Sequence, residues 1–320
     1  MRVVVVVDDG MFDSGLTTVL DVLAAANALR DEPQTPVPFE VTLTSAGERV
    51  RTGHGLEVTT VPFHTLDARP DVLVLPAVGL KPIDAVVDAV RDHACLPLVS
   101  ELHDVGTQLA AACSGTFFLA EAEVLDGLRA TTSWWLGPAF RRRYPSVRLD
   151  ERHTLVADGG VTTAGAAFAH IDLALSIVRQ VSPDLADSVA RHLVIGERPS
   201  QAAYAVPALL ASHDAVVTAF ERWVRDHVGD AFRVGEVASA VGVSERTLQR
   251  TTAAVLGMSP MDFVHEIRLE QATFLLRTTD RTVDQVARAV GYANTGTLRS
   301  LVRRERGTTL SALRQGSVPL

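Results

Sequence analysis

The chain has 320 residues, which suggests two domains that are each large enough to bury a core. Its two cysteines, Cys95 and Cys113, exclude a disulfide framework and fit the reducing cytoplasm, and no segment has the length of a membrane span. A net charge of −8 is unfavourable for nucleic-acid binding unless the charge is unevenly distributed along the chain.

The first half of the chain predicts strands that alternate with helices. Residues 2–7 form a continuous β-branched run, typical of a central parallel strand, and Asp8 and Asp9 end it far short of a signal peptide. Further strands are predicted at residues 39–45, 71–75, 108–112 and 161–165, and helices at residues 16–29, 83–90, 116–122 and 171–178. This alternation predicts a doubly wound α/β sheet.

A sharp turn is predicted at Cys113, between the strand at residues 108–112 and the helix at residues 116–122. Ser114 and Gly115 suit such a turn, and the start of the helix would lower the pKa of the thiol and present N–H groups to an anion. Cys113 is therefore either a ligand-contacting group or simply a small buried residue, since free cysteine is often buried.

The string QLAAACSGTFFLAEAEVLDGLRATTSWW, at residues 108–135, resembles the core of the DJ-1/PfpI superfamily, also called class I glutamine amidotransferase-like. The resemblance covers most of residues 1–181 and implies a flavodoxin-like domain whose cysteine lies on a nucleophile elbow. Related regulators usually carry a histidine where this chain has Ser133, and serine supplies neither a base nor a cation for a thiolate. Enzymes of the superfamily place an acidic residue after the first strand, for which Asp8, Asp9 and Asp13 are candidates.

We therefore expect a ligand pocket built on a former active site, with Cys113 as a vestigial nucleophile and no catalytic residue. The expected pocket residues are Cys113, Ser114, Ser133 and Asp13. The alternative is a bifunctional protein that uses Cys113 for an amidase, hydratase or glyoxalase-like reaction. The pattern indicates no cofactor, and the ten histidines form no pair at metal-ligand spacing.

The alternating pattern loosens after Ser182, where prolines and glycines interrupt the chain. We place a sensor domain at residues 1–195, a linker at 196–212 and a DNA-binding domain at 213–320. From Ala215 onward the pattern is helical, with no strand signal.

Residues 234–250, VGEVASAVGVSERTLQR, predict a helix-turn-helix. Val234, Val237, Ala238 and Val241 form one apolar stripe, and Gly242 suits a helix end with positive φ. Ser244 is then a candidate N-cap for a polar second helix, the form that enters a DNA major groove.

The same pattern recurs about fifty residues later. Val283, Val286, Ala287 and Val290 repeat the stripe at an offset of 49 residues, and Leu298 repeats Leu248 at an offset of 50, so the second turn is one residue longer. The helical run at residues 261–277 joins the two motifs, and Phe263, Ile267 and Phe274 predict its inner face.

The charge is indeed unevenly distributed. From Ser212 onward the chain has 14 arginines against 12 acidic residues, a net of +2, which leaves 16 basic against 26 acidic residues, a net of −10, before it. The acidic excess belongs to the first half, and local placement of arginines near the end of the chain must supply the DNA-binding surface.

A DJ-1/PfpI-like domain followed by two helix-turn-helix motifs resembles the GlxA-type branch of AraC/XylS transcriptional regulators. The resemblance of residues 215–314 implies a sequence-specific DNA-binding regulator controlled by a small metabolite, with nitrogenous metabolites as the effector class. The expected partners are double-stranded DNA, through its major groove, a small-molecule effector and a second copy of the chain as a homodimer, with no membrane contact and a cytoplasmic location.

In the first motif we expect Arg246, Gln249 and Arg250 at base edges, with Ser244 and Thr247 at phosphates. In the second we expect Asn294, Thr295 and Arg299 in the groove, with Arg303 and Arg304 at phosphates. The family's aromatic anchors are replaced by Leu298 and Leu301, and Gly296 disfavours helix by about 1 kcal/mol relative to Ala. The second motif is therefore expected to be less specific than the first.

Overall fold

The β-branched run at the start of the chain forms a central strand. Strand β1 spans Arg2–Val6 and pairs in parallel with β2, Glu40–Ser45, on one side and with β6, Val72–Leu75, on the other. Its valines are at most 5% exposed, because helices cover both faces of the sheet.

The computed structural model describes residues 1–30, 37–66, 69–79, 82–196, 200–201 and 205–315. The chain divides into one unit made of Met1–Leu136 and Tyr144–Gln201 and another made of Gly137–Arg143 and Ala202–Leu320. Residues 197–199 and 202–204 of the predicted linker and residues 316–320 of the predicted DNA-binding domain lie outside the described residues, so the predicted boundaries stay a proposal.

The other strands of the described residues are β3 Arg49–Arg51, β4 Glu57–Thr59, β5 Val61–Pro62, β7 Gln108–Ala112, β8 Arg129–Ala130, β9 Arg148–Leu149, β10 Leu155–Asp158 and β11 Val161–Ala164. In the first unit a seven-stranded sheet has the order β10-β11-β7-β6-β1-β2-β5. Its pairs are parallel except that β10 is antiparallel to β11. The other described strands form two short two-stranded sheets, β3–β4 and β8–β9.

Helices lie on both faces of this sheet, as in the predicted doubly wound α/β fold. One face is covered by α1, Asp13–Ala28, with α6, His170–Val181, and α7, Pro183–His192; their apolar side chains share a buried core with Val3 and Val5. The helices α2 Ile83–Val90, α3 Leu96–Asp104 and α4 Thr116–Glu121 form a second group, in which α3 and α4 pack on β7. The sheet order places β1 and β6 at a topological switch point, where open α/β sheets bind ligands.

In the described part of the second unit the regular elements are all helices, as predicted from Ala215 onward. Its helices are α5 Gly137–Arg143, α8 Pro207–Ala211, α9 Ala215–Asp226, α10 Val234–Ala240, α11 Glu245–Leu256, α12 Pro260–Thr278, α13 Val283–Ala289, α14 Thr295–Arg306 and α15 Leu310–Arg314. The pairs α10–α11 and α13–α14 are the two predicted helix-turn-helix motifs, and α12 is the predicted connecting helix.

Phe263, Ile267 and Phe274 are predicted to form one buried face of α12, and this prediction is wrong for Phe274. Phe263 and Ile267 are fully buried, whereas Phe274 is 57% exposed. Farther along α12, Leu269, Ala272 and Leu276 belong instead to the core of the second motif. The buried face therefore rotates around α12 because the two ends of the helix pack against different motifs, and a single helical stripe does not describe it.

Candidate ligand pocket and DNA-binding surface

The predicted elbow is present at the end of β7. Cys113 follows Ala112 with φ +55°, and a short 3-10 turn, Cys113–Gly115, leads into α4. A side chain at Gly115 would meet the carbonyl oxygen of Leu75 at 2.2 Å, so this close approach to the end of β6 requires glycine. The elbow thus lies beside the carboxyl end of β6, one strand away from the switch point between β6 and β1.

Cys113 and Ser133, two of the predicted pocket residues, are in direct contact. The Ser133 hydroxyl donates to Cys113 Sγ across 2.9 Å and accepts from the N–H of Ala166 across 3.1 Å. Ala166 has φ +65°, a strained backbone conformation for a residue with a side chain. A third predicted residue, Ser114, accepts at its hydroxyl from the N–H of Val78. All three pocket residues are buried.

The prediction that the start of the helix lowers the pKa of the Cys113 thiol is wrong. Burial raises this pKa, and hydrogen bonds from Ser133 and Ser114 oppose the effect without overcoming it. The thiol is fully enclosed, so the loss of water around a thiolate outweighs the few N–H groups of the six-residue α4. The elbow therefore holds a neutral thiol.

Asp13, the fourth predicted pocket residue, belongs to a different group of contacts. Its carboxylate accepts from the hydroxyl of Thr52 and from the backbone N–H of His54, and it pairs with the His54 ring at 2.8 Å. Burial acts to raise the Asp13 pKa, but these hydrogen bonds hold it below its usual value. Among the described residues Asp13 makes no hydrogen bond to Cys113, Ser114 or Ser133, and its place in the pocket stays a prediction.

One residue that the sequence analysis missed, Gln201, lies next to the contact between Ser133 and Cys113. It is 3% exposed, and its side chain bonds to the main chain on both sides of Ser133. The amide nitrogen donates to the Thr132 carbonyl across 2.8 Å, and the amide oxygen accepts from the Trp134 N–H across 3.1 Å. Gln201 lies in the predicted linker, about seventy residues from these partners, so no local sequence pattern indicates the contact.

The first helix-turn-helix motif has the predicted local geometry. Gly242 has φ +78°, and Val237, Ala238 and Leu248 are buried between α10 and α11. The base-edge candidates Arg246, Gln249 and Arg250 are all exposed on α11. Ser244 caps α11 by accepting from the N–H of Thr247. The hydroxyls of Ser244 and Thr247 are also bonded to each other, so these residues serve the helix start besides any contact with phosphate.

The second motif repeats this geometry with the predicted longer turn. Gly291 has φ +79°, and Asn294 caps α14 by accepting from the N–H of Thr297. Asn294 and Arg299 are exposed, as are Arg303 and Arg304, while Thr295 is half-buried. Arg304 is paired with Glu305 at 2.5 Å. Leu298 and Leu301 are buried, as predicted for the residues that replace the aromatic anchors.

Other arginines of the second unit are structural. Arg306 pairs with Glu266 at 2.5 Å, and the side chains of both residues are mostly buried. Arg268, on α12, donates to the carbonyls of Asp230 and Gly291 across 2.6 and 3.4 Å. Its guanidinium lies over the rings of Phe232 and Tyr292. Arg268 thus ties the turn of the second motif to the loop before the first, and its side chain is unavailable to DNA.

The described residues include no group of His, Cys, Asp and Glu side chains arranged to hold a metal ion. None of the described helices is both long enough and apolar enough to span a membrane.

Comparisons with known proteins match both halves of the chain. The model of the DJ-1/PfpI family matches residues 1–180, and that of the helix-turn-helix domain matches residues 237–316. The HTH-type transcriptional regulator CdhR of Pseudomonas aeruginosa is 30% identical over 78% of this chain and 74% of its own length. The HTH-type transcriptional regulator GlxA of Rhizobium meliloti is 29% identical over 92% of this chain and 90% of its own.

A solved structure is similar to this chain in fold. The ThiJ/PfpI family protein from Pseudomonas syringae superposes with a TM-score of 0.50 at 19% identity, covering 62% of this chain and 76% of that one. At this identity the similarity supports the fold alone.

Proposed function

This chain belongs to the DJ-1/PfpI family and is a GlxA-type transcriptional regulator of the AraC family, and from that premise we propose that a small metabolite bound in the first unit controls its binding to DNA. The proposal rests on the buried contact between Ser133 and Cys113 at the carboxyl ends of β7 and β11, close to the switch point of the sheet. Polar side chains enclosed at that edge provide directed hydrogen-bonding groups for a ligand. The neutral thiol favours binding over covalent chemistry.

The expected effectors are nitrogenous metabolites such as amino acids and quaternary amines, as the family resemblance implies. The test is a thermal-shift screen of the full chain against such compounds, followed by DNA-affinity measurements with each compound that raises the melting temperature. The proposal requires one compound that both raises the melting temperature and changes the affinity for DNA. It fails if compounds that stabilise the protein leave DNA binding unchanged.

For the DNA-binding surface we propose that Arg246, Gln249 and Arg250 read bases and that Arg303 and Arg304 contact phosphates. The first three project from the exposed side of a recognition helix whose other side is anchored by Leu248. Arginine suits guanine and glutamine suits adenine, each through paired hydrogen bonds. Asn294, Thr295 and Arg299 would read the second groove. The two motifs would occupy successive major grooves, roughly 34 Å apart.

The alternative of a cysteine-dependent amidase, hydratase or glyoxalase-like activity has little support at this site. A thiolate nucleophile needs a lowered pKa or an adjacent base, whereas burial raises the Cys113 pKa and its polar neighbour is a serine hydroxyl. We propose a pseudo-active site. Turnover of a simple amide or a 2-oxoaldehyde by the wild-type chain, abolished by Cys113→Ala, would overturn this proposal.

A further inference from the structure

Gln201 is a polar side chain held inside the first unit at the last residue before the chain passes to the second. Only 3% of the residue is exposed. Its main-chain N–H donates to the carbonyl of Arg152 across 3.0 Å, which holds the segment against the first unit. Its carboxamide, however, is inserted farther, beside the Ser133–Cys113 pair.

The surroundings of this carboxamide match both of its ends. The nitrogen faces three acceptors: the carbonyls of Thr132 and His153 and the hydroxyl oxygen of Thr131, at 2.8, 3.4 and 3.3 Å. The oxygen faces one donor, the N–H of Trp134. A carboxylate would place an oxygen against carbonyl oxygens, and an ammonium group would leave the Trp134 N–H without an acceptor. The slot therefore selects a primary carboxamide.

Space for the group is provided by Gly165. A Cβ atom at this position would lie 2.0 Å from the Gln201 amide nitrogen and 2.6 Å from its amide carbon, and Gly165 has no positive φ that would itself require glycine. The absence of a side chain at Gly165 is thus explained by the carboxamide that fills the space.

The slot is connected to the elbow through the main chain of Ser133. Gln201 bonds to the residues immediately before and after Ser133, whose hydroxyl in turn donates to Cys113 Sγ. The carboxamide therefore bonds to the main chain on both sides of Ser133, while the main-chain N–H of Gln201 holds its own segment against Arg152.

We propose that the Gln201 carboxamide is a built-in occupant of a carboxamide-binding slot beside Ser133, and that a ligand carrying a primary amide takes the slot by displacing it and frees the segment before the second unit. This inference rests on the proposed ligand control for its consequence, but the slot itself is testable without DNA.

The first experiment fills the slot from solution. Gln201→Ala in the full chain removes the amide and leaves a space that matches acetamide, so we expect a lower melting temperature that acetamide partly restores. Acetate is an isosteric probe that lacks the donor, and acetamidinium is one that lacks the acceptor. Gln180→Ala, at an exposed glutamine of α6, controls for solvent effects. Equal responses of Gln201→Ala and Gln180→Ala to acetamide, or equal restoration by acetate, would overturn the proposal.

The second experiment displaces the carboxamide by placing a side chain at position 165. Gly165→Ala is expected to lower the melting temperature in the wild-type background and to have a much smaller effect in the Gln201→Ala background, because the clashing partner is then gone. Gly47→Ala, where the nearest atom to a new Cβ lies at 4.0 Å, is the matched control. Additive effects of Gly165→Ala and Gln201→Ala would contradict the slot. A third outcome is that both results are as expected while acetamide leaves the DNA affinity of every variant unchanged. That outcome would support the carboxamide-binding slot and contradict the proposed control of DNA binding by a ligand.

Discussion

The hydroxyl of Ser133 lies 2.9 Å from Cys113 Sγ and donates to it, at the position where the family resemblance implies a histidine. A hydroxyl that donates to the sulfur stabilises a thiolate only weakly and accepts no proton from it at neutral pH. The contact preserves the arrangement of a nucleophile and its partner without the acid–base chemistry.

From this contact we predict that Cys113 is unreactive. In a Cys95→Ala background, its alkylation by iodoacetamide should be slower than that of a free thiol and should keep rising above pH 9, because burial raises the thiol pKa. Ser133→Ala should slow it further, since the hydrogen bond from Ser133 acts to lower that pKa. The same protein unfolded in urea provides the free-thiol rate. A rate that levels off below pH 7 would contradict the neutral thiol.

We predict that the first motif carries most of the sequence discrimination. Arg246→Ala should reduce the free-energy difference between specific and non-specific binding by about 1–3 kcal/mol, as expected for the loss of a bidentate base contact. Arg299→Ala, at an exposed site of the second motif, should reduce it less, because Gly296 weakens that helix. Binding to the cognate site and to single-base variants measures both. A larger loss for Arg299→Ala would reverse the assignment.

A phosphate contact should behave differently from a base contact. Arg303→Ala is expected to weaken binding to all sequences alike and to reduce the slope of log affinity against log salt by about 0.9. Salt titrations of the variant on cognate and unrelated DNA test this. An unchanged slope would remove Arg303 from the phosphate-contacting set.

The second unit should depend on Arg268 for the placement of its second motif. Arg268→Lys keeps the charge but loses the planar group that reaches two carbonyls between two aromatic rings, so it should destabilise this unit nearly as much as Arg268→Leu does. We expect about 2–3 kcal/mol for either variant, measured by urea unfolding. Full stability of Arg268→Lys would show that charge alone is required.

Acid should destabilise the first unit through His170. Burial lowers the pKa of His170 to about 4, because the enclosed ring resists protonation. In the unfolded chain the pKa of a histidine is ~6.5. The stabilisation that the neutral ring gives the folded state is therefore complete above pH ~6.5, and about 3 kcal/mol of it is lost as the pH falls to about 4. Urea unfolding of wild type and His170→Asn across this range should show the loss in the wild type alone. If the free energies of unfolding of the two proteins change with pH in parallel, the buried ring of His170 is not held neutral.

Local patterns predict the elements and fail at long-range contacts. The strand at Gln108–Ala112 and the helix at Ile83–Val90 have the predicted bounds, because hydrophobic periodicity and flanking turn residues are local properties. Both turn glycines, Gly242 and Gly291, have the positive φ that their position after a helix predicts. The role of each half of the chain follows from such local motifs.

The errors have a common physical cause. The pKa of Cys113 depends on how completely distant parts of the chain enclose it, and the exposure of Phe274 depends on which motif each end of α12 meets. The position of Gln201 beside Ser133 depends on residues about seventy positions away. Desolvation and tertiary packing decide all three, and neither is encoded in a short stretch of sequence.

The most direct test of the account is a footprint of the full chain on the DNA upstream of its own gene. We predict two protected major-groove segments about one helical turn apart, with the protection by the first motif lost in Arg246→Ala. Protection of a single groove, or a pattern unchanged by Arg246→Ala, would contradict binding by two helix-turn-helix motifs of which the first supplies the specificity.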